Sequence, residues 1–325
     1  MKLLHRPPFA AVLCGLALLV SAPTWAQANY PSKPITIVVG YPPGGSTDLT
    51  ARTLGAELST RLGVPVVIEN VGGAGGGIGA QKVANAAPDG YTLLVGANNE
   101  IAINRLVSST VKYELKDFTP IGLIASQPMV LVASMKSGVK NVDQFISLVK
   151  SNPGKFSFGS SGVGTSLHLA GEMVKAQGGL FMTHIPYRGV APLANDLVGN
   201  NIEFGVFVLS SGLPHIKSGR VLALGTTEKK RSAASPDIPA LAENPALSGI
   251  DISTWFALMA PAKLPEAVAA KLNKALAEAL QSPDLRRKLE DSGSAIAPLH
   301  VDMAKFLVDE TAKYKKIVAF AKIKE

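Results

Sequence analysis

The chain has 325 residues, a formal net charge of +8, 47% hydrophobic and 17% charged residues, a composition that fills folded interiors and excludes a disordered polymer. Its one cysteine, Cys14, lies in the N-terminal apolar stretch, which removes disulfides, Cys-ligated zinc, iron–sulfur clusters and thiolate nucleophiles from the remainder. The positive balance favours anionic partners, yet the basic segments at 228–231 and 313–324 match no nucleic-acid-binding motif and read as solvated faces, so nucleic acid is not expected as a partner.

Lys2 and Arg6 precede an apolar run at 9–20, and Ala26-Gln-Ala28 is a small-x-small site. This is the pattern of a cleavable secretory signal, residues 1–28, with cleavage after Ala28. The run is shorter than the ~20 residues of a spanning helix, and no later segment has that length and apolarity. The mature chain is therefore expected outside the cytoplasm without membrane insertion.

Short β-branched runs bounded by Gly, Pro and Asn fall at 35–39, 65–69, 91–95, 129–133, 202–208 and 221–226. Between them, apolar residues at three- and four-residue spacing predict helices over 47–62, 78–86, 142–150, 166–177, 192–198 and 265–281. The alternation predicts an α/β fold with parallel sheets and crossover helices. The first three strand–helix units build one sheet, a second series begins near Gln127, and after Trp255 the pattern reads as wholly helical. The chain thus leaves one lobe, builds another and returns. Lobe 1 comprises 29–126 plus 256–325 and lobe 2 comprises 127–255, with crossings near 126–129 and 253–256. Two short crossings make a hinge, a common design for closing on a small molecule.

Four Gly- and Ser-rich stretches each follow a strand and open a helix: residues 43–48 (PGGSTD), 72–79 (GGAGGGIG), 159–166 (GSSGVGTS) and 186–192 (PYRGVAP). In an open parallel sheet such loops gather at the carboxyl ends of the strands, where ligands bind. Unpaired N–H groups at helix starts carry partial positive charge and can hold a carboxylate without Lys or Arg. Ser46, Thr47, Ser160, Ser161 and Thr165 add hydroxyls. The competing role for the same residues is plain helix capping. Asp48 would repel an anion; four residues before Arg52 it fits a helix-face ion pair better, although it could accept a bond from a ligand amine or hydroxyl. Arg188, at the end of HIPYRG, could clamp a carboxylate or simply sit exposed.

Residues 75–80 (GGGIGA) fit a relaxed dinucleotide fingerprint, with Glu100 at ribose distance, a short pattern that glycine-rich loops match by chance. Hydrolase, zincin and P-loop signatures are absent. The histidines after the leader, His168, His184, His215 and His300, have no metal spacing, and neither a metal nor a cofactor is expected. A Ser161–His168 pair in an exported hydrolase is the enzymatic alternative.

The ordered set YPPGGSTDLTAR, IENVGGAGGGIGAQKVANAAPDGYTLLVG, FGSSGVGTSLHLAGE, IPYRGVAPLANDLVGN, LPHIKSGRVLALGTTEKKRS and WFALMAPAKLP resembles the Bug proteins. These are the extracytoplasmic solute-binding receptors of tripartite tricarboxylate transporters. The resemblance covers essentially the whole mature chain. It implies a two-lobed periplasmic binding protein of type II-like form, with two crossover strands and a ligand cleft between the lobes. It also implies non-enzymatic capture of a small organic anion and its delivery to membrane transporter subunits; nothing in the sequence demands a dimer, so a monomer is expected, and a solute sensor signalling to a membrane receptor is the alternative. Carried onto this chain, the ligand site is Tyr41 with Gly45, Ser46, Thr47 and Asp48, then Gly75, Gly76, Gly77 and Ile78. From the second lobe come Ser160, Ser161, Thr165 and Ser166, then Arg188, Gly189, Val190 and Ala191. Gly72 and Gly77 stand where the family often has Pro and Asn, and Glu203 where it usually has Asp. Phe207 and Val208 replace frequent polar residues; if they line the second-lobe wall, the ligand has an apolar or aromatic body.

Overall fold

The computed structural model describes residues 30–321 and 323; the expected signal, residues 1–28, lies outside the described residues. Ten strands run β1 (Ile35–Val39), β2 (Val66–Asn70), β3 (Thr92–Ala97), β4 (Phe118–Ser134), β5 (Ser157–Ser160), β6 (Thr183–Pro186), β7 (Phe204–Val208), β8 (Val221–Thr226), β9 (Ser253–Pro261) and β10 (Ala295–Ile296). The α-helices are α1 (Ser46–Leu62), α2 (Gly77–Ala84), α3 (Asn104–Val107), α4 (Val142–Ser151), α5 (Ser166–Gly178), α6 (Val190–Val198), α7 (Leu209–Lys217), α8 (Glu266–Ala279), α9 (Pro283–Asp291) and α10 (Met303–Ala321).

The sheet order is β2-β1-β3-β9-β4-β7-β5-β6, with β8 and β10 also on β4. The expected parallel pairs form on both sides: β1 lies parallel to β2 and β3, and β5 parallel to β6 and β7. The sheet as a whole is mixed, because β9 runs antiparallel to both β3 and β4, and β4 antiparallel to β7 and β8. The wholly helical reading after Trp255 is therefore corrected. Residues 253–261 (STWFALMAP) form a strand buried on both faces, and a continuous apolar run cannot be told from a buried helix by periodicity alone.

β4 is the long member, and its partner changes along its length. Residues 118–128 pair with β9, while Met129–Ala133 pair with β7 and from Val130 onward with β8. At this change the buried Gln127 donates to Ser294 Oγ (2.8 Å) and accepts from Ser210 N (3.1 Å). The core follows the same division. Ile37, Val38, Val39, Leu93, Leu94 and Val95 are fully buried in strands that pack against both α1 and α2, and Leu54 and Leu58 of α1 are buried as well. Beyond β4, Val130, Val132, Leu193, Leu197, Phe207 and Leu213 form a separate apolar cluster. Each buried Leu or Val contributes roughly 1.5–3 kcal/mol.

Glycine is required where the first two loops meet. A Cβ on Gly40, at the end of β1, would stand 2.6 Å from Gly76 O, and one on Gly79 would stand 2.8 Å from Gly40 Cα. Backbone rests directly on backbone, which no larger residue permits. Gly40→Ala is expected to cost about 1–3 kcal/mol, the usual penalty of overpacking, and to push the second loop outward. Urea denaturation against wild type checks this, and an unchanged midpoint would contradict the contact.

Candidate functional site

The four glycine-rich loops meet in a ring. Tyr41 Oη contacts Gly75 O at 2.9 Å. Gly189 leaves Pro42 Cδ 3.5 Å from where its Cβ would stand, and Gly75 does the same for Thr165 Cγ2 at 3.6 Å. Gly189 N and Tyr187 N donate to Ser161 O and Ser160 O, closing the fourth loop onto the third. Inside the ring lies a cavity of about 50 Å³, lined by Gly45, Ser46, Thr47, Ser161, Ser166, Gly189, Val190 and Ala191 among others. Tyr41, Pro42, Ser161, Arg188 and Gly189 also border a groove of about 840 Å³ that takes in Gly75 and Gly76. The groove has the dimensions of a small-molecule site; the inner cavity is far smaller.

The starts of the helices differ. α1 begins after Gly45, which has no capping side chain, and among the described residues the amides of Ser46, Thr47 and Asp48 have no acceptor. α6 begins after Gly189 in the same way, leaving Val190 and Ala191 open, and Pro192 has no N–H to satisfy. By contrast, Thr165 Oγ1 caps α5 by accepting from His168 N, and Ser166 N donates to Asn99 Oδ1 at 2.6 Å. The second loop folds on itself, with Gly76 N and Ile78 N both donating to Gly73 O. Two loops of the four therefore aim open first-turn amides at one cavity, one from each side of the β4 partner change, and the other two are largely closed by their own surroundings.

Side chains complete the wall. The hydroxyls of Ser46, Thr47 and Ser161 have no partner among the described residues, whereas Ser166 Oγ lies 3.1 Å from Thr254 Oγ1. Arg188 is exposed, borders both volumes and forms no ion pair among the described residues. Ala97, Leu167, Pro192 and Val208 supply apolar surface.

Several expected site residues stand elsewhere. Asp48 is buried and accepts from Gly44 N (3.0 Å), Arg52 Nε (3.0 Å) and Asn70 Nδ2 (2.9 Å), so its oxygens are committed to bracing the first loop. Burial opposes its ionisation, but those three donors outweigh it and hold the carboxyl below its usual range. Gly77 packs by Asn104 and Tyr113, and Ile78 is half exposed with its tip on Gly73. Phe207 is fully buried in the apolar cluster beyond β4 and does not reach the cavity; its neighbour Val208 does. The alternation of side chains along a strand sends adjacent residues to opposite faces. Glu203 accepts from Ser157 N at 3.1 Å and serves the fold.

The two enzymatic motifs dissolve in the same way. His168 takes Gly164 N on Nδ1 at 3.1 Å and stacks on His184 at 3.7 Å, so it does not partner Ser161. Ser160 and His184 do pair, Oγ to Nε2 at 2.7 Å, but Ser160 is fully buried and borders neither volume. Burial, with His168 close by, drives His184 down to about 3, leaving a neutral ring. Glu100, placed for a ribose in the dinucleotide reading, is buried against Tyr41 and Ala97 N. Asn99 and Thr254 are cavity residues that the sequence reading missed. Asn99 had a signal, since NNE at 98–100 follows β3 at the same strand end as the glycine loops; Thr254 sits on the unrecognised β9.

Among the described residues, no three metal-ligating side chains cluster, and no helix is long and apolar enough to cross a membrane. A two-lobed α/β fold with helix starts from both sides facing one cavity defines a solute-binding protein. Residues 50–322 match the family model described as tripartite tricarboxylate transporter family receptor. BugT of Bordetella pertussis is 34% identical over 307 residues, 94% of this chain and 92% of its own. The Rpa4515 protein of R. palustris, solved with adipate, superposes at TM-score 0.87 with 32% identity, covering 91% of this chain and 99% of that one. MatC of Rhodopseudomonas palustris, solved with bound malate, gives 0.82 with 30% identity over 89% and 100%. The chain belongs to the tripartite tricarboxylate transporter receptor family, and BugD, a periplasmic binding protein, superposes on it at TM-score 0.86 with 31% identity, covering 91% of this chain and 99% of that one.

Asp48→Asn tests the bracing role. A carboxyl lowered in the folded state contributes stability above its unfolded pKa of roughly 3.9 and loses it as pH falls through the folded value. Wild type should therefore lose part of its advantage over Asp48→Asn as thermal melts move from pH 6 towards pH 2. A pH-independent difference would leave the ion pair without weight.

Proposed function

We propose that this protein captures a small organic carboxylate with an apolar body and delivers it, as a monomer, to membrane subunits of a tripartite tricarboxylate-type transporter. One observation carries the reading: the open amides of Ser46 and Thr47 on α1 and of Val190 and Ala191 on α6 border one cavity. An anion there completes the bonds that both helix starts lack and lies on the positive ends of two helix dipoles. Free hydroxyls of Ser46, Thr47 and Ser161 add neutral donors, and Arg188 faces the groove for a second acidic group. The apolar body rests on Leu167, Val208, Ala97 and Pro192. That adipate and malate occur in two relatives supports the carboxylate class.

The lobe division we propose is 29–126 plus 256–325 against 127–255. It is supported by the partner change of β4 after Pro128 and by the start of β9 at Ser253. An inner cavity of about 50 Å³ is too tight for such a guest, so capture requires the lobes to part and close again. Closure then distinguishes loaded from empty receptor for the transporter, with no bond made or broken. The periplasm is the compartment.

Proline at the first helical position keeps the helix and removes one N–H. Val190→Pro should leave the melting temperature within a degree or two and weaken carboxylate binding by roughly tenfold or more, the worth of one hydrogen bond to a charged group. Calorimetry with adipate, malate, citrate and an aromatic acid reads both class and site. Tight binding of citrate alone would remove the apolar body, and unaltered affinity in Val190→Pro would remove α6 from the site.

A further inference from the structure

Behind the ring of loops, Glu100 is a fully buried acid on a π-helical turn, Asn99–Ile103. Its Oε1 accepts from Ala97 N at 2.8 Å, and its Oε2 lies 2.8 Å from Tyr41 Oη. The phenol has two further neighbours: Asn99 Nδ2 at 2.7 Å, which can only donate, and Gly75 O at 2.9 Å, which can only accept. A phenol owns one proton. If that proton goes to Gly75 O, the contact with Glu100 needs a proton from Glu100. With an ionised Glu100 the phenol must turn to the carboxylate, and among the described residues Gly75 O keeps only the side-chain amide of Asn104 at 3.1 Å.

We propose that Glu100 is a positioning residue that acts through its proton: as a carboxylic acid it donates to Tyr41, releasing the phenol proton to hold Gly75, and its ionisation loosens the second loop and sets a negative charge behind the cavity. The second half rests on the reading of the cavity as an anion site; the proton assignment does not. Packing agrees with the assignment. Gly76 passes so close that a Cβ there would stand 2.8 Å from Glu100 Oε2, so the acid is a floor for the loop that borders the groove.

Among the described residues, the groups facing Glu100 from its surroundings carry no compensating cation. The loop after β1 brings Tyr41, and the segment after α3 brings Tyr113, whose hydroxyl donates to Glu100 O at 2.7 Å. Asn104 on α3 is neutral, and Arg105 beside it is exposed. α10, packed on the same turn, contributes Tyr314, which is bonded to Asn98. Desolvation accordingly raises Glu100 to about 7, against the Ala97 amide and the Tyr41 hydroxyl that favour the anion.

Glutamine reproduces the neutral acid, with an amide to donate to Tyr41 and a carbonyl to accept from Ala97. Infrared difference spectra of ligand-free wild type against Glu100→Gln should contain a protonated-carboxyl stretch at pH 5 that disappears towards pH 8. Glutamate labelled at Cδ reports the same titration by NMR in wild type alone, should the variant fold poorly. An acid raised on folding contributes stability below its unfolded pKa and loses it as pH rises through the folded one. Wild type should thus lose melting temperature relative to Glu100→Gln between about pH 5 and 8. Adipate affinity should drop several-fold from pH 6 to pH 8 in wild type and stay flat in the variant. A carboxyl already ionised at pH 5, or identical pH profiles of stability in the two proteins, overturns the assignment. If no acid of the panel binds, solute capture and the anion half of the proposal fall, while the infrared, NMR and thermal arms still decide the proton.

Discussion

The amides of a helix's first turn have no acceptor within the helix, and in a folded protein each must find one elsewhere or remain available. Here the demand is met unevenly. α5 is closed by Thr165 and by Asn99, whereas α1 and α6 start after glycines that offer no side chain. Leaving those amides open forgoes roughly 1 kcal/mol of capping at each helix; in the function proposed above, what the molecule gains is a site for negative charge that needs no buried cation.

Such a site works only if the open starts are held steady and aimed together, and most of the surrounding chemistry does this. Asp48 ties Gly44, Arg52 and Asn70 into the base of the first loop. Gly40, Gly76 and Gly79 bring the second loop into backbone contact with it. Tyr41 joins the two through Gly75, Glu100 and Asn99, and Asn99 continues across to Ser166 at the start of α5. The residues that carry charge thus serve the scaffold, and the residues that face the cavity are mostly neutral donors and apolar surface, with Arg188 at the rim.

Two strands make the two sides one molecule. β4 spends its first part against β9 and its second against β7 and β8, with Gln127 bonded at the change to groups from α7 and from the segment before β10. Because the polar atoms of Gln127 are buried, they hold a defined geometry there, as unpaired alternatives would cost the full desolvation of the groups. On the proposed lobe division, a change of angle between the sides would concentrate at this point and at the entry to β9, which lies next to Thr254 and the cavity itself.

Alternating β-branched and helical spacing was enough to read β1, β2, β3, β7, β8 and the helices α1, α2, α4, α5, α6 and α8, with ends displaced by a few residues. The four loops and most of the cavity residues were legible because Gly, Pro, Ser and Thr mark a strand-to-helix turn, although the same residues serve equally well as plain helix caps. Asn99, with its polar neighbours after β3, was legible in principle. What local pattern could not hold was β9, whose run is apolar on both faces, and with it Thr254 and the mixed sheet. Nor could it separate Phe207 from Val208, or open helix starts from closed ones. Those outcomes depend on which partner stands a few ångströms away, and only packing across distant segments decides that: Asn99 reaches Ser166 N over 67 residues of chain, and Tyr41 reaches Glu100 over 59. Composition and spacing determined an α/β chain with glycine-rich strand ends, and the resemblance of its ordered motifs pointed to a receptor; tertiary contacts decided which amides remain free, because a hydrogen bond goes to the acceptor that folding brings within reach.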